Sequence, residues 1–204
     1  GIYLDYNATA PLLPIACDAM VAAWEMGGNP SSVHGYGRRA RRVVEDARAA
    51  VAALVRVTPE RVVFTGSATE ANNTVMAVAG RRRLVSAIEH DSILATEPDG
   101  LIPVGADGVV DLAALEALLQ QAGPALVSVM AVNNETGVIQ PVADVAALAR
   151  RYGALVHCDA VQAAGRMELD VDAQDLDFVT LSAHKIGGPQ GVGALIVREK
   201  VPVP

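Results

Sequence analysis

Apolar residues recur at three- and four-residue spacing up to about residue 60, and beyond it short unbroken apolar runs alternate with amphipathic stretches. Residues 2–11 read as a short extended arm that breaks at Pro11. Pro14 suits the first turn of a helix reaching Met26, where Gly27-Gly28-Asn29-Pro30 stops it. Ser31 and Ser32 are candidate caps for a helix over 37–55, with Ala40, Val43, Val44, Ala47, Val51 and Leu54 on one face. The apolar runs at 61–65, 84–88, 101–104, 126–132, 154–158, 177–182 and 192–197 predict strands. Between them, Gly66-Ser67-Ala68-Thr69-Glu70 turns into a helix running towards Gly80, and Asp111 caps a helix with Leu112, Leu115, Leu118 and Leu119 inside. Pro141 opens another helix, closed by Gly153. Strand and helix alternate, which predicts an α/β fold: a mostly parallel sheet with helices on both faces. There is no internal repeat, low-complexity tract or linker.

Composition adds limits. With 204 residues, 51% of them hydrophobic, the chain is long and apolar enough to bury a full core. A net charge of -7 argues against a general nucleic-acid surface or an anionic membrane as partner. The one basic cluster, Arg38-Arg39-Ala40-Arg41-Arg42, reads as a solvated or subunit-facing helix side. Cys17 and Cys158 are too few for a disulfide framework, and neither has the cationic neighbours of a reactive thiolate. With no signal-peptide pattern and no long apolar span, a reducing cytoplasm is expected. No His, Cys and Asp spacing suggests a metal site, and Gly187-Gly188-Pro189-Gln190-Gly191 lacks the residues of a P-loop.

The candidate chemistry lies where strands stop. Lys185 sits directly after one apolar run and before a glycine-rich turn into the next. A lysine held there in partial burial loses basicity and becomes a nucleophile for an aldehyde, whereas a solvated loop lysine does neither. Thr69, His90, Asn134, Asp159 with Gln162, and Ser182 with His184 mark the other strand ends. In a parallel sheet those ends share one edge, so distant residues meet in one pocket. The helix start at Ala68-Thr69 is a turn with an N-cap or a phosphate cradle, and His90 a loop histidine or an imidazole against a flat ligand. Asn133-Asn134 reads equally as a turn. Asp159 is a buried carboxylate that a pyridinium N–H would pair, or a capping residue. Together a cradle, a flat-ring partner, a carboxylate and a Schiff-base lysine describe pyridoxal phosphate.

On these residues the chain resembles the class V aminotransferase group of fold-type I pyridoxal-phosphate enzymes, and within it the cysteine desulfurases of the NifS/IscS type. The matching segments are Tyr3-Leu4-Asp5-Tyr6-Asn7-Ala8-Thr9, Gly28-Asn29-Pro30-Ser31-Ser32-Val33-His34 and Gly66-Ser67-Ala68-Thr69-Glu70-Ala71-Asn72-Asn73. Further along come Glu89-His90, Asn133-Asn134-Glu135-Thr136-Gly137, Asp159-Ala160-Val161-Gln162 and Ser182-Ala183-His184-Lys185-Ile186-Gly187-Gly188-Pro189. The resemblance implies that Lys185 carries the cofactor and shuttles protons, and that Asp159 keeps the ring nitrogen protonated. It further implies that His90 stacks on the ring, that Asn134 and Gln162 meet the ring-hydroxyl side, and that Ala68, Thr69, Ser182 and His184 hold the phosphate. Asn7 and Ala8 fall near the substrate.

The implied activity converts L-cysteine to L-alanine, leaving the sulfur as a persulfide on an enzyme thiol. The implied partners are a second copy in a homodimer and a sulfur acceptor or iron–sulfur scaffold. Residues 1–30 are then an N-terminal arm and helix, and 31–204 an incomplete cofactor-binding large domain. Against the family pattern the chain lacks the small C-terminal domain, the loop with the persulfide cysteine, an arginine for the substrate carboxylate and a phosphate contact from the partner subunit. Two alternatives stand beside the leading one: a non-catalytic module of the same fold, and another class V enzyme such as a selenocysteine lyase.

Overall fold

The computed structural model describes residues 1–199 and 201. Helices α1 (Pro14–Met26) and α2 (Gly35–Leu54) precede β1 (Val62–Thr65) and α3 (Ala68–Met76). Then come β2 (Arg82–Ser86), α4 (Asp91–Leu94), β3 (Gly100–Ile102), α5 (Leu112–Ala122), β4 (Ala125–Ser128) and α6 (Val142–Arg151). The chain continues through β5 (Leu155–Asp159), β6 (Phe178–Ser182) and β7 (Gly193–Val197), with a single 3-10 turn, Ala183–Lys185, between the last two. The strands form one sheet in the order β1-β7-β6-β5-β4-β2-β3. From β3 to β6 all neighbours are parallel, and β7 is antiparallel to both β6 and β1. β1 therefore runs with β6, and the C-terminal ends of β1, β2, β4, β5 and β6 share one edge with the start of β7.

Adjacent strand residues point to opposite faces, so each strand feeds two cores. Leu84, Val127, Val156, Val179 and Ile196 pack with Leu115, Leu119, Val145 and Ala149 of α5 and α6, and with Ala52 and Val55 at the end of α2. Their neighbours Val85, Leu126, Phe178 and Leu195 pack on the other face with Ala71, Val75 and Met76 of α3 and Ile93 of α4. The expected mostly parallel sheet with helices on both faces is what the chain forms. At the edge away from the strand ends, Asp177 accepts from the Val156 amide at 2.7 Å and pairs with Arg150 at 2.7 Å, which fastens β5 to β6. Among the described residues no helix is long and apolar enough to cross a membrane.

Several local expectations are corrected. Neither Ser31 nor Ser32 caps α2: the His34 imidazole does, accepting from the Gly37 amide at 3.3 Å. Ser32 instead lies against the helix start, where a Cβ on Gly37 would come within 2.1 Å of the Ser32 carbonyl oxygen. Of the predicted α2 face, Ala40, Val44 and Val51 turn inward while Val43, Ala47 and Leu54 are exposed. β2 lies two residues earlier than its apolar run, because Arg82 and Arg83 pair with Ala125 and Leu126 and the chain curls after Ser86. β4 ends at Ser128, yet the apolar run stays buried: the Val129 and Ala131 amides donate to the His157 and Asp159 carbonyls at 3.1 and 2.9 Å.

Candidate functional site

The shared strand edge opens into a cavity of about 610 Å³. Asn7, Ala8, Ala68, Thr69, His90, Asn134, Asp159, Gln162, Ser182, His184 and Lys185, the residues singled out from sequence, all line it. Strand direction accounts for most of the convergence, since each of them except Asn7 and Ala8 follows, ends or lies beside the end of a strand that stops there, and the N-terminal arm brings those two to the cavity.

Lys185 ends the 3-10 turn after β6 and is half-buried. Burial disfavours its ammonium form, and the Arg166 guanidinium lowers its proton affinity further, opposed by the carboxylates of Asp159 and Asp5. Its Nζ donates to the carbonyl oxygen of Asn7 and, at 2.8 Å, to that of Ala8. His184, one residue earlier, has its imidazole near Thr9 Oγ1 at 3.1 Å and is held below the usual histidine range by burial and by Lys185.

Asp159 closes β5 with 6% of its surface exposed. Its Oδ2 accepts from Asn72 Nδ2 at 2.9 Å and its Oδ1 from the Val161 amide at 3.0 Å. Burial raises the carboxyl above the ordinary range, while those two donors, His90 and Lys185 pull it back. No salt bridge reaches it among the described residues. Behind it lies Glu89, fully buried: Oε1 accepts from the Met130 amide at 2.6 Å and Oε2 has no partner. Burial, then the charge of Asp159, pushes this carboxyl up to about 8.

His90 precedes the short α4, and its Nδ1 accepts from the Ser92 amide at 3.0 Å, which fixes the ring. Asn134 Nδ2 donates to Glu135 Oε1 at 2.6 Å, and Gln162 Nε2 donates to the Asn7 carbonyl at 2.9 Å. At the start of α3, Ser67 Oγ accepts from the Glu70 amide at 3.0 Å, and the Ala68 and Thr69 amides face the cavity end of the helix. Gly193 makes this approach possible: a Cβ there would stand 2.6 Å from Ser67 C and 2.9 Å from Ala68 N. His157 is spent on structure. It lies buried between Ser128 Oγ at 2.8 Å and Thr180 Oγ1 at 3.0 Å, and burial pushes it down to about 3. Cys158 is buried, its thiol raised well above the ordinary value by burial and the neighbouring carboxylates. Cys17 is exposed on α1 and does not line the cavity.

Sequence reasoning missed three contributors. Asn72 is a polar residue on the buried face of α3, beside Ala71, Val75 and Met76, and that placement was the available signal. Glu89 reads in sequence as a mere neighbour of His90. Arg166 follows Gly165 in a tight turn without periodicity, and only tertiary structure brings it to the arm.

The chain matches the family model described as aminotransferase class-V over residues 2–203. It is 41% identical to an IscS-like cysteine desulfurase of Mycobacterium tuberculosis, covering 98% of this chain and 56% of that protein. It is likewise 40% identical to the cysteine desulfurase IscS of Tolumonas auensis, over 98% of this chain and 54% of the relative. The fold superposes on the crystal structure of a NifS-like protein from Rickettsia africae with a TM-score of 0.95 at 38% identity, covering 100% of this chain and 59% of that one. The chain thus spans about half the length of the curated relatives it matches.

Proposed function

This chain belongs to the aminotransferase class-V family, and from that premise we propose that it is the pyridoxal-phosphate-holding portion of a cysteine desulfurase. The substrate is L-cysteine, the products are L-alanine and a sulfur atom carried as persulfide, and the expected setting is cytoplasmic. The observation that carries the reading is the meeting of Lys185 and Asp159 in one cavity whose far wall is a helix N-terminus.

The residues present fit the cofactor. Asp159 is a buried carboxyl with orienting donors on both oxygens and no cation in a salt bridge with it among the described residues, which a pyridinium N–H would supply. Asn72 Oδ1 is buried and unpaired beside it. The close approach of β7 to Ser67 and Ala68, permitted by Gly193, shapes an anion cradle at the start of α3. Pyridoxal phosphate, when bound, supplies an electron sink that stabilises negative charge at the substrate α-carbon.

The chain's own residues do the rest. Lys185 Nζ, whose ammonium form burial disfavours, would hold the cofactor and would move a proton at the substrate α-carbon. Asp159 keeps a proton on the ring nitrogen, with Asn72 and the Val161 amide fixing its orientation. His90, held by Ser92, would cover a ring face, and Asn134 and Gln162 would lie on the ring-hydroxyl side. Ala68, Thr69, Ser182 and His184 would hold the phosphate, and Asn7 and Ala8 would bound the substrate space. Neither cysteine of this chain is the sulfur acceptor: Cys158 is locked in β5 as a thiol, and Cys17 lies outside the cavity. The persulfide therefore forms on another thiol, and passes to an acceptor or iron–sulfur scaffold. Residues 1–30 act as an arm and helix on the cofactor portion 31–204, in a protein we expect to be homodimeric.

Reconstitution followed by borohydride reduction and peptide mapping tests this reading. The pyridoxyl label is expected on Lys185, and L-cysteine added before the reductant is expected to strip it, because the substrate amine displaces the lysine. Cys17→Ser and Cys158→Ser are expected to change neither result. A label elsewhere overturns the site, and a label that persists under L-cysteine overturns the substrate.

A further inference from the structure

The N-terminal arm lies over the cavity without burying a single side chain: residues 1–8 are all exposed. It is held by polar contacts, several of which converge on one side chain outside the family motifs. Arg166 Nη1 donates to Asn7 Oδ1 at 3.0 Å and to Gln162 Oε1 at 2.7 Å. Its Nη2 donates to the Tyr6 carbonyl at 3.3 Å and to the Lys185 carbonyl at 3.2 Å. Three segments far apart in sequence thus meet on one guanidinium: the arm, the turn after β5, and the lysine-bearing turn after β6.

We propose that Arg166 is a positioning residue of this site, fastening the arm onto the lysine-bearing turn so that the Asn7 and Ala8 carbonyls are presented to the Lys185 amine. The proposal rests on the reading of Lys185 as the cofactor lysine. The donor pattern supports it. By taking Gln162 Oε1 as acceptor, Arg166 leaves Gln162 Nε2 to donate to the Asn7 carbonyl, the same oxygen that accepts from Lys185 Nζ. Asn7 is thereby gripped at its side-chain oxygen by Arg166 and at its carbonyl by Gln162 and Lys185, while its side-chain Nδ2 donates to the Asn134 carbonyl at 3.1 Å. A planar fork with several donors suits this geometry, and a lysine ammonium at the same place lacks the span to reach both the arm and the Lys185 carbonyl.

Two opposed influences on the amine follow. The arm carbonyls accept from Nζ and favour its protonated form, while the guanidinium charge disfavours it. The other charged or titratable groups facing this amine are Asp5 on the arm, Asp159 on β5, His90 before α4, Glu135 after β4 and His184 beside it.

The experiment compares the wild type with Arg166→Lys and Arg166→Met in two assays. The first is limited proteolysis of residues 1–10 in cofactor-free protein. Cleavage is expected to accelerate about fivefold or more in both variants. The second is the pH midpoint of borohydride-fixed pyridoxyl label on Lys185. In Arg166→Lys the charge stays and the carbonyl acceptors leave, so the midpoint is expected to fall by about half a pH unit. In Arg166→Met the charge leaves as well, and the midpoint is expected to lie above that of the lysine variant. Wild-type arm protection in both variants overturns the proposal. So does an arm released with the midpoint unmoved or raised in Arg166→Lys, since Arg166 is then only a structural tie. If the wild type takes no label at Lys185, the functional reading fails while the proteolysis still decides whether Arg166 holds the arm.

Discussion

Glu89 is a carboxyl that the folded protein keeps neutral. Its pKa stands at about 8, against an ordinary carboxyl value once the chain unfolds. Between those values the native protein holds a proton that the unfolded chain has released, so stability is highest below the unfolded value and is lost as pH rises towards 8. Asp159, also raised, acts with the same sign, and His157 acts oppositely on the acid side. Glu89→Gln keeps an oxygen for the Met130 amide and removes the titration. Its stability relative to wild type is therefore expected to improve from pH 5 to pH 8, by about 1.4 kcal/mol per pH unit at most. Denaturant unfolding at both pH values checks this, and parallel curves for the two proteins contradict it. Lys185 and Asp159 were legible in the sequence because each is a charged residue closing an apolar run. Asn72, Glu89 and Arg166 were not, because their importance lies in which distant oxygen or amide they meet.

The elements were legible in kind and less so in extent. Each apolar run gave a strand, but hydrogen-bond partners set the ends: Arg82 joins β2 because β4 begins opposite it, and β4 stops where the chain turns towards Asn133. The α2 cap fell to His34 because Gly37 brings Ser32 against the helix start, a close approach that cap preferences do not encode. Gly193 belongs to this scale. It reads in sequence as the ordinary opening of a strand, yet its missing Cβ lets β7 lie against the first residues of α3. Gly193→Ala places a methyl within 3 Å of backbone atoms and of Thr65 Oγ1 at 2.8 Å, so strand or turn has to move. The expected outcome is about 1–3 kcal/mol lower stability and cofactor affinity weakened about tenfold or more, read by thermal unfolding and by quenching of Trp24 fluorescence on titration. Wild-type affinity in a folded variant would mean the cradle does not depend on this approach.

At the scale of the whole molecule, large apolar side chains of the arm and of α1 stand exposed. On helix α1 Ile15 is 76% and Trp24 71% exposed, with Ile2 and Leu4 exposed nearby in the chain. Such a surface in water favours association. Sedimentation of the protein is expected to show concentration-dependent self-association, weakened about tenfold in Ile15→Lys/Trp24→Lys, and a monomer at all concentrations would contradict this.

Among the described residues β1 pairs with β7 alone, which has a consequence in time rather than in space. During synthesis β1 leaves the ribosome long before β7 exists, whereas β2 to β6 find partners among strands already made or soon to follow. The first strand is thus a client in waiting, open to wrong pairings or to a chaperone until residues 193–197 arrive. Only then is the proposed cofactor cradle, where those two strands flank the start of α3, complete.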